Sequence, residues 1–256
     1  MGGTDTWARA AGFCVYNDTA AAIAALLDAG AERVAYVDVD VHHGDGVETM
    51  FADDPRVLTV SLHESGATLF PGTGDATDVG TGPAAGSVVN VPLAPQTAGD
   101  VWLGAFDAVV EPLVRAFAPD VLVTQLGCDT HATDPLAHLA LTLDDLAAVY
   151  ARLHTLAHEA ADGRWVATGG GGYRLVDVVP RAWTLAFAAM SGGRLPVETP
   201  MPWRELVVDR TGERPPRDFD DPAPVLGPDV TPRTRAAAEA SVATVRELVF
   251  PRHGIR

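Results

Sequence analysis

The segment VAYVDVDVHHGDG (residues 34–46) concentrates carboxylates and imidazoles within an apolar, strand-like run. Side chains alternate across an extended strand, so Asp38, Asp40 and His42 face one side and Val37, Val39 and Val41 the other. Neighbouring buried carboxylates repel each other and are costly to desolvate, and a divalent cation answers both demands. Asp40 and His42 are the first candidate ligand pair. An acidic turn facing water is the plain alternative, but the valines mark the run as interior. A third ligand is expected from another strand end, because ligands of parallel sheets gather beyond the carboxyl ends of the strands. Asp129 meets that description, following the apolar run DVLVTQLG in GCDTHATDPLAHL. His131 and His138, in the same stretch, are second choices.

The next chemically suggestive stretch is TGGGGYRL (168–175), again after an apolar run and before a helical one. Its glycines let backbone approach a ligand closely and present Tyr173 at the sheet's edge, where a phenol beside a metal can donate to an oxyanion. A nucleotide loop, as in a nucleotide-binding α/β domain, is the rival reading, and it fails on detail. Arg174 stands where the last glycine of GxGxxG belongs, and no GK[ST] follows. His154 and His158 are four apart but lack the glutamate of HExxH, so a solvated helix face is the expectation. Cys128 reads as a small buried side chain and PGTGD (71–75) as a turn.

Positioning these groups requires a parallel sheet. Short apolar runs at 34–40, 57–62, 88–92, 121–126 and 165–168 alternate with helical stretches at 18–28, 100–117, 142–161 and 175–190. The class is α/β, a parallel sheet with helices on both faces. A single domain, 1–256, is expected, with an irregular proline-rich segment at 192–232 and a last helix at 233–248. At 256 residues and 47% apolar content the chain can bury a full core. Its net charge is −16, and all 18 basic residues are arginine. Such a surface repels nucleic acid and anionic membranes, so neither is an expected partner. The sequence shows no secretory signal or apolar span, and its two cysteines are far apart without CxxC spacing. A soluble, cytoplasmic protein is expected.

Five motifs stand in a telling order: GFCVYND (12–18), DVDVHHGDG (38–46), LFPGTGD (69–75), GCDTHATDP (127–135) and GGGGY (169–173). Together with the closing VFPRHG (249–254), they resemble the histone deacetylase superfamily over nearly the whole chain. The resemblance implies the arginase-deacetylase fold and zinc-dependent removal of acetyl groups from lysine side chains, with iron(II) as the other candidate metal. The substrate would be an acetylated protein or a small acylated amine. Under it, Asp40, His42 and Asp129 are metal ligands, and Tyr173 polarises the acetyl carbonyl. Phe13 and Phe70 wall an acyl-lysine tunnel with Leu136 at its rim. Asp38, Ser61 and Leu62 form a structural K⁺ or Na⁺ site. Related two-metal enzymes carry an aspartate where this chain has Gly44, so one metal is implied. Family members place two adjacent histidines, acting as general base and acid, shortly before GFC, and these hydrogen-bond the counterparts of Asp38 and Asp45. Here Asp5 and Thr6 stand in that place. The resemblance thus implies a chain that lacks the family's N-terminal third and has impaired turnover. A non-catalytic protein that holds an acylated ligand is the alternative from a different class.

Overall fold

A computed structural model describes residues 10–255. Chain order is α1 (Asp18–Asp28), β1 (Val34–Asp38), α2 (Asp45–Phe51), β2 (Val57–Glu64), β3 (Val88–Leu93) and α3 (Gly99–Phe117). There follow β4 (Val121–Gln125), α4 (Leu143–Ala161), β5 (Trp165–Thr168), α5 (Val179–Ser191), α6 (Met201–Thr211) and α7 (Val230–Leu248). The five strands form one parallel sheet in the order β3-β2-β1-β4-β5. The strands are apolar on both faces because both faces are covered. Ala35 and Val37 of β1 join one core with Trp102, Phe106 and Leu113 of α3 and Val149 and Leu153 of α4. Val34 and Tyr36 join the other with Ile23 of α1 and Val47 and Phe51 of α2.

Register places the site. One rung across the sheet pairs Asn90 with Ser61, Ser61 with Asp38, Asp38 with Gln125, and Gln125 with Thr168. Every strand thus carries a polar residue at the same level, which is the last residue of β1, β4 and β5, whereas β2 and β3 run on for three residues. Chain order reverses between β1 and β4, the switch point at which open α/β sheets bind ligands.

The proline-rich segment differs from expectation. It contains α6, which buries none of its side chains. Pro202 falls in the first turn, where a missing N–H costs nothing, and Gly212 closes the helix at φ +74°. Helix α7 begins at Val230, before the expected 233, because Pro232 is likewise tolerated in a first turn. The buried Arg181 of α5 pins the stretch between them, donating to the carbonyls of Asp218 and Asp220 and to the Asp221 carboxylate.

Candidate metal centre

Regular strand hydrogen bonding stops at Asp38, but side-chain alternation continues: Val39 and Val41 stay in the core with Val37. Asp40 and His42 point the other way, toward the turn after β4 that carries Asp129. Asp40 and Asp129 are fully buried and His42 nearly so. His42 Nδ1 lies 3.0 Å from Asp40 Oδ1 and 3.1 Å from Asp129 Oδ2. The candidate ligand atoms of the three residues lie within 4.8 Å of one another. Val41 N–H donates to Asp129 Oδ1 at 2.9 Å and ties the two strand ends together.

These residues fit a divalent ion. Asp129 Oδ2 is buried and receives no hydrogen bond from the described residues, despite its closeness to His42. A single proton on Nδ1 cannot point at both carboxylates, whereas a cation among the three atoms can bind all of them. Backbone crowds the carboxylates so closely that a Cβ on Gly171 would sit 1.9 Å from Asp129 Oδ2. One on Gly127 would sit 2.2 Å from Asp40 Oδ2. Two carboxylates and an imidazole suit zinc or iron(II).

Without a cation, the centre is electrostatically tense. Burial and the charge of Asp40 push the Asp129 carboxyl up to about 6. Burial alone would depress His42, but the Asp129 and Asp40 carboxylates override it and hold the imidazole up to about 10.

Around the three ligands, Asp38 accepts from Tyr36 Oη at 2.5 Å and from Asp40 N–H at 3.0 Å. Burial, then Asp40, raises its carboxyl to about 7. A Cβ at Gly44 would meet Asp38 Oδ2 at 2.5 Å, so an aspartate there has no room. Ser61 lies beside Asp38 in register, and its Oγ is 3.4 Å from Gly44 N and 2.9 Å from His63 Nδ1. Leu62 is buried in the adjoining core. Asp45 opens α2 with a buried Oδ1 that has no partner among the described residues, and burial raises its carboxyl to about 6. Tyr173 is half-buried, and burial with the nearby Asp129 raises its phenol, keeping it protonated. Its N–H donates to Asp134 Oδ2 at 2.8 Å, while Asp134 Oδ1 accepts from Leu136 N–H at 2.9 Å. Asp134 therefore joins the glycine loop to the segment carrying Leu136. The Phe13 ring lies 6.0 Å from that of Tyr173, and Phe70 6.5 Å from His42. Phe13, Phe70 and Leu136 are all exposed. Phe13 is held in place by a tight turn, with Gly12 and Phe13 both at positive φ and Cys14 N–H bonded to Ala11 C=O.

All eight histidines lie among the described residues. His43, which strand alternation sets on the opposite side from His42, bonds Thr73 Oγ1 and Glu48 Oε2, both at 2.8 Å. Thr73 belongs to the PGTGD turn, which thereby braces His43. His63 is buried against His43, donates Nε2–H to Gly74 C=O and is pushed down to about 3 by burial. The second-choice ligands are engaged elsewhere: His131 bonds Asp221, and His138 bonds Glu64, each at 3.0 Å. His154 and His158 lie against each other on α4, and His253 bonds Gly86 C=O. Asp5 and Thr6 lie outside the described residues.

Two residues went unremarked in the sequence. Asp134 is hidden in a loop where aspartate is common. Gln125 bonds Asp40 at 2.8 Å. It could have been found by asking which residue ends the strand that delivers Asp129, since Asp38, Gln125 and Thr168 all end their strands on this rung.

Residues 6–190 match the histone deacetylase domain model. The acetoin utilization protein AcuC of Bacillus subtilis (strain 168) is 39% identical over 242 residues, which is 94% of this chain and 62% of that protein. AcuC of Staphylococcus xylosus is 41% identical over 188 residues, 73% of this chain and 49% of that protein. The crystal structure of an HDAC homolog complexed with SAHA superposes with a TM-score of 0.78 at 27% identity, covering 92% of this chain and 63% of the other. The chain thus spans between about half and just under two thirds of the length of these relatives, and its sheet has the arginase-deacetylase fold. By the match across residues 6–190, this chain belongs to the histone deacetylase family.

Proposed function

We propose that this protein hydrolyses acetyl-lysine amides, in a protein or a small acylated amine, at a centre where Asp40, His42 and Asp129 hold one zinc or iron(II) ion. The observation that carries the reading is the convergence of two buried carboxylates and an imidazole at the β1/β4 switch point, with the glycine loop and Tyr173 beside them. When bound, the ion supplies Lewis acidity for an amide carbonyl and for water. Tyr173, kept protonated, donates to the oxyanion that develops on the attacked carbonyl. Phe13 and Phe70 flank the acyl-lysine stem and exclude water, with Leu136 at the rim. Asp38, Ser61 and Leu62 hold a K⁺ or Na⁺ ion beside the centre, and Asp45 offers its unmatched oxygen to a proton-transfer partner. His43, His131 and His138 bond groups outside the ligand set and are not available there as a general base, so this chain turns over slowly. We place the reaction in the cytoplasm. No helix among the described residues is long and apolar enough to cross a membrane.

Metal analysis of the purified protein and of Asp129→Ala, with an acetyl-lysine peptide assay on both, tests the reading. One equivalent of zinc or iron is expected in the parent and a large loss in the variant. Equal metal content in both overturns the ligand assignment.

A further inference from the structure

Gln125 is the last residue of β4, is almost fully buried, and sits on the polar rung beside Asp38 and Thr168. Both ends of its amide are engaged. Nε2 donates to Asp40 Oδ2 at 2.8 Å, and Oε1 accepts from Gly127 N–H at 2.5 Å. Flipping the amide would set oxygen against carboxylate and NH₂ against N–H, so its neighbours fix its orientation. Asp40 Oδ2 also accepts from Gly171 N–H at 2.7 Å. Oδ1 is left turned toward His42, accepting its N–H at 2.9 Å. With one oxygen pinned by two donors, the Asp40 carboxylate can present the other at only one angle.

The amide also touches the remaining parts of the site. A Cβ on Gly170 would lie 2.3 Å from Gln125 Oε1, so the loop leading to Tyr173 rides directly on it. Gly127, bonded to the same oxygen, begins the turn that delivers Asp129. One side chain therefore touches the β1 end, the β4 turn and the β5 loop. Asp40 and Asp129 carry like charge in a dry place and push apart unless such contacts hold them.

We propose that Gln125 is a positioning residue of the metal centre. It fixes the Asp40 carboxylate relative to His42 and Asp129 and so sets the affinity and geometry with which a divalent ion is held. The proposal rests on reading those three residues as metal ligands. Outer hydrogen bonds of this kind are typically worth about 10- to 100-fold in metal affinity.

The test strips Gln125→Met and Gln125→Glu with a chelator and titrates them with Co²⁺ and Zn²⁺ against a competing indicator. Far-UV circular dichroism is recorded on the metal-free proteins. The expected result is a dissociation constant raised by about 10- to 100-fold in the Met variant and at least as much in the Glu variant. The Co²⁺ absorption spectrum should be altered and the metal-free fold unchanged. Wild-type affinity and a wild-type Co²⁺ spectrum in both variants would overturn the proposal. His42→Ala is the control. If it too binds metal normally, the ligand assignment itself fails; if it loses metal while the Gln125 variants bind normally, only the positioning role fails. Should Met or Glu prevent folding, Gln125→Asn keeps an amide but withdraws it by one bond of about 1.5 Å. Weakened metal binding there supports the proposal, and wild-type binding overturns it.

Discussion

At the residue scale, His42 and Tyr173 carry separable consequences. An imidazole whose folded pKa exceeds its unfolded value stabilises the fold fully below the unfolded value, near 6.5, and loses that contribution as pH rises through about 10. Asp129 and Asp38, raised to about 6 and about 7, act in the same direction: each favours the fold while protonated and loses that contribution as pH rises from about 4 through its own raised value. The Tm of metal-free protein is therefore expected to fall from mildly acid to alkaline pH. The Tm gain on adding zinc should grow between about pH 6.5 and 10, because metal needs the neutral imidazole. Calorimetry with and without zinc checks this, and a constant gain across that interval contradicts it. Tyr173→Phe removes an oxyanion donor without touching a ligand. Its kcat on acetyl-lysine peptide should drop by about 100-fold or more at unchanged metal content. A normal kcat would leave Tyr173 a packing residue. General acid-base catalysis is worth about 10²- to 10⁴-fold, so Asp5→His with Thr6→His should raise turnover within that range if those positions correspond to the family's histidine pair. No change would place the proton-transfer groups elsewhere.

At the element scale, the glycine loop after β5 does more than present Tyr173. Gly171→Ala would force a methyl group against both carboxylates, while α5 and the sheet beyond it keep their packing. It should lose metal binding with little change in far-UV circular dichroism, and full metal content would contradict the close approach. The strands and the long helices were legible in sequence because their apolar runs are buried on both faces or striped, as in Trp102, Phe106, Val109, Leu113 and Phe117 of α3. Asp40 and His42 were legible because alternation holds beyond the last ladder bond. Helix α6 was not, because it buries nothing and has no apolar face to read. Its start at Pro200 and stop at Gly212 are the only local signals, and prolines around them read equally well as loop. Gln125 escaped notice because the carboxylate it bonds, Asp40, is 85 residues away past the end of the neighbouring strand: its place at a strand end was legible, what it meets across the sheet was not.

At the scale of the whole molecule, charge and apolar surface oppose each other. The net charge of −16 keeps copies apart. Yet Phe13 and Tyr16 are more than four-fifths exposed, and β5 leaves one edge of the sheet unpaired among the described residues. Phe13 and Trp183 border one cavity of about 360 Å³ at the end of β5, and Phe187 lies a turn further along α5. Exposed apolar side chains beside an open edge favour association once repulsion is screened. Sedimentation is therefore expected to show self-association that strengthens from about 0.05 to about 0.5 M salt and weakens in Phe187→Ser. A monomer at both salt concentrations would contradict this.

The switch point also bears on the order of events in folding. The two halves of the ligand set sit on neighbouring strands but are brought together by a contact spanning 88 residues, Val41 to Asp129. β1, β2 and β3 can zip sequentially, whereas docking β4 against β1 requires the chain to return across that whole span and bear its closure entropy. Cation capture should therefore be a late event. In stopped-flow refolding, a cobalt absorption signal is expected to lag behind helix formation and to coincide with burial of Trp102 in the core, reporting the moment at which the sheet's topology is complete.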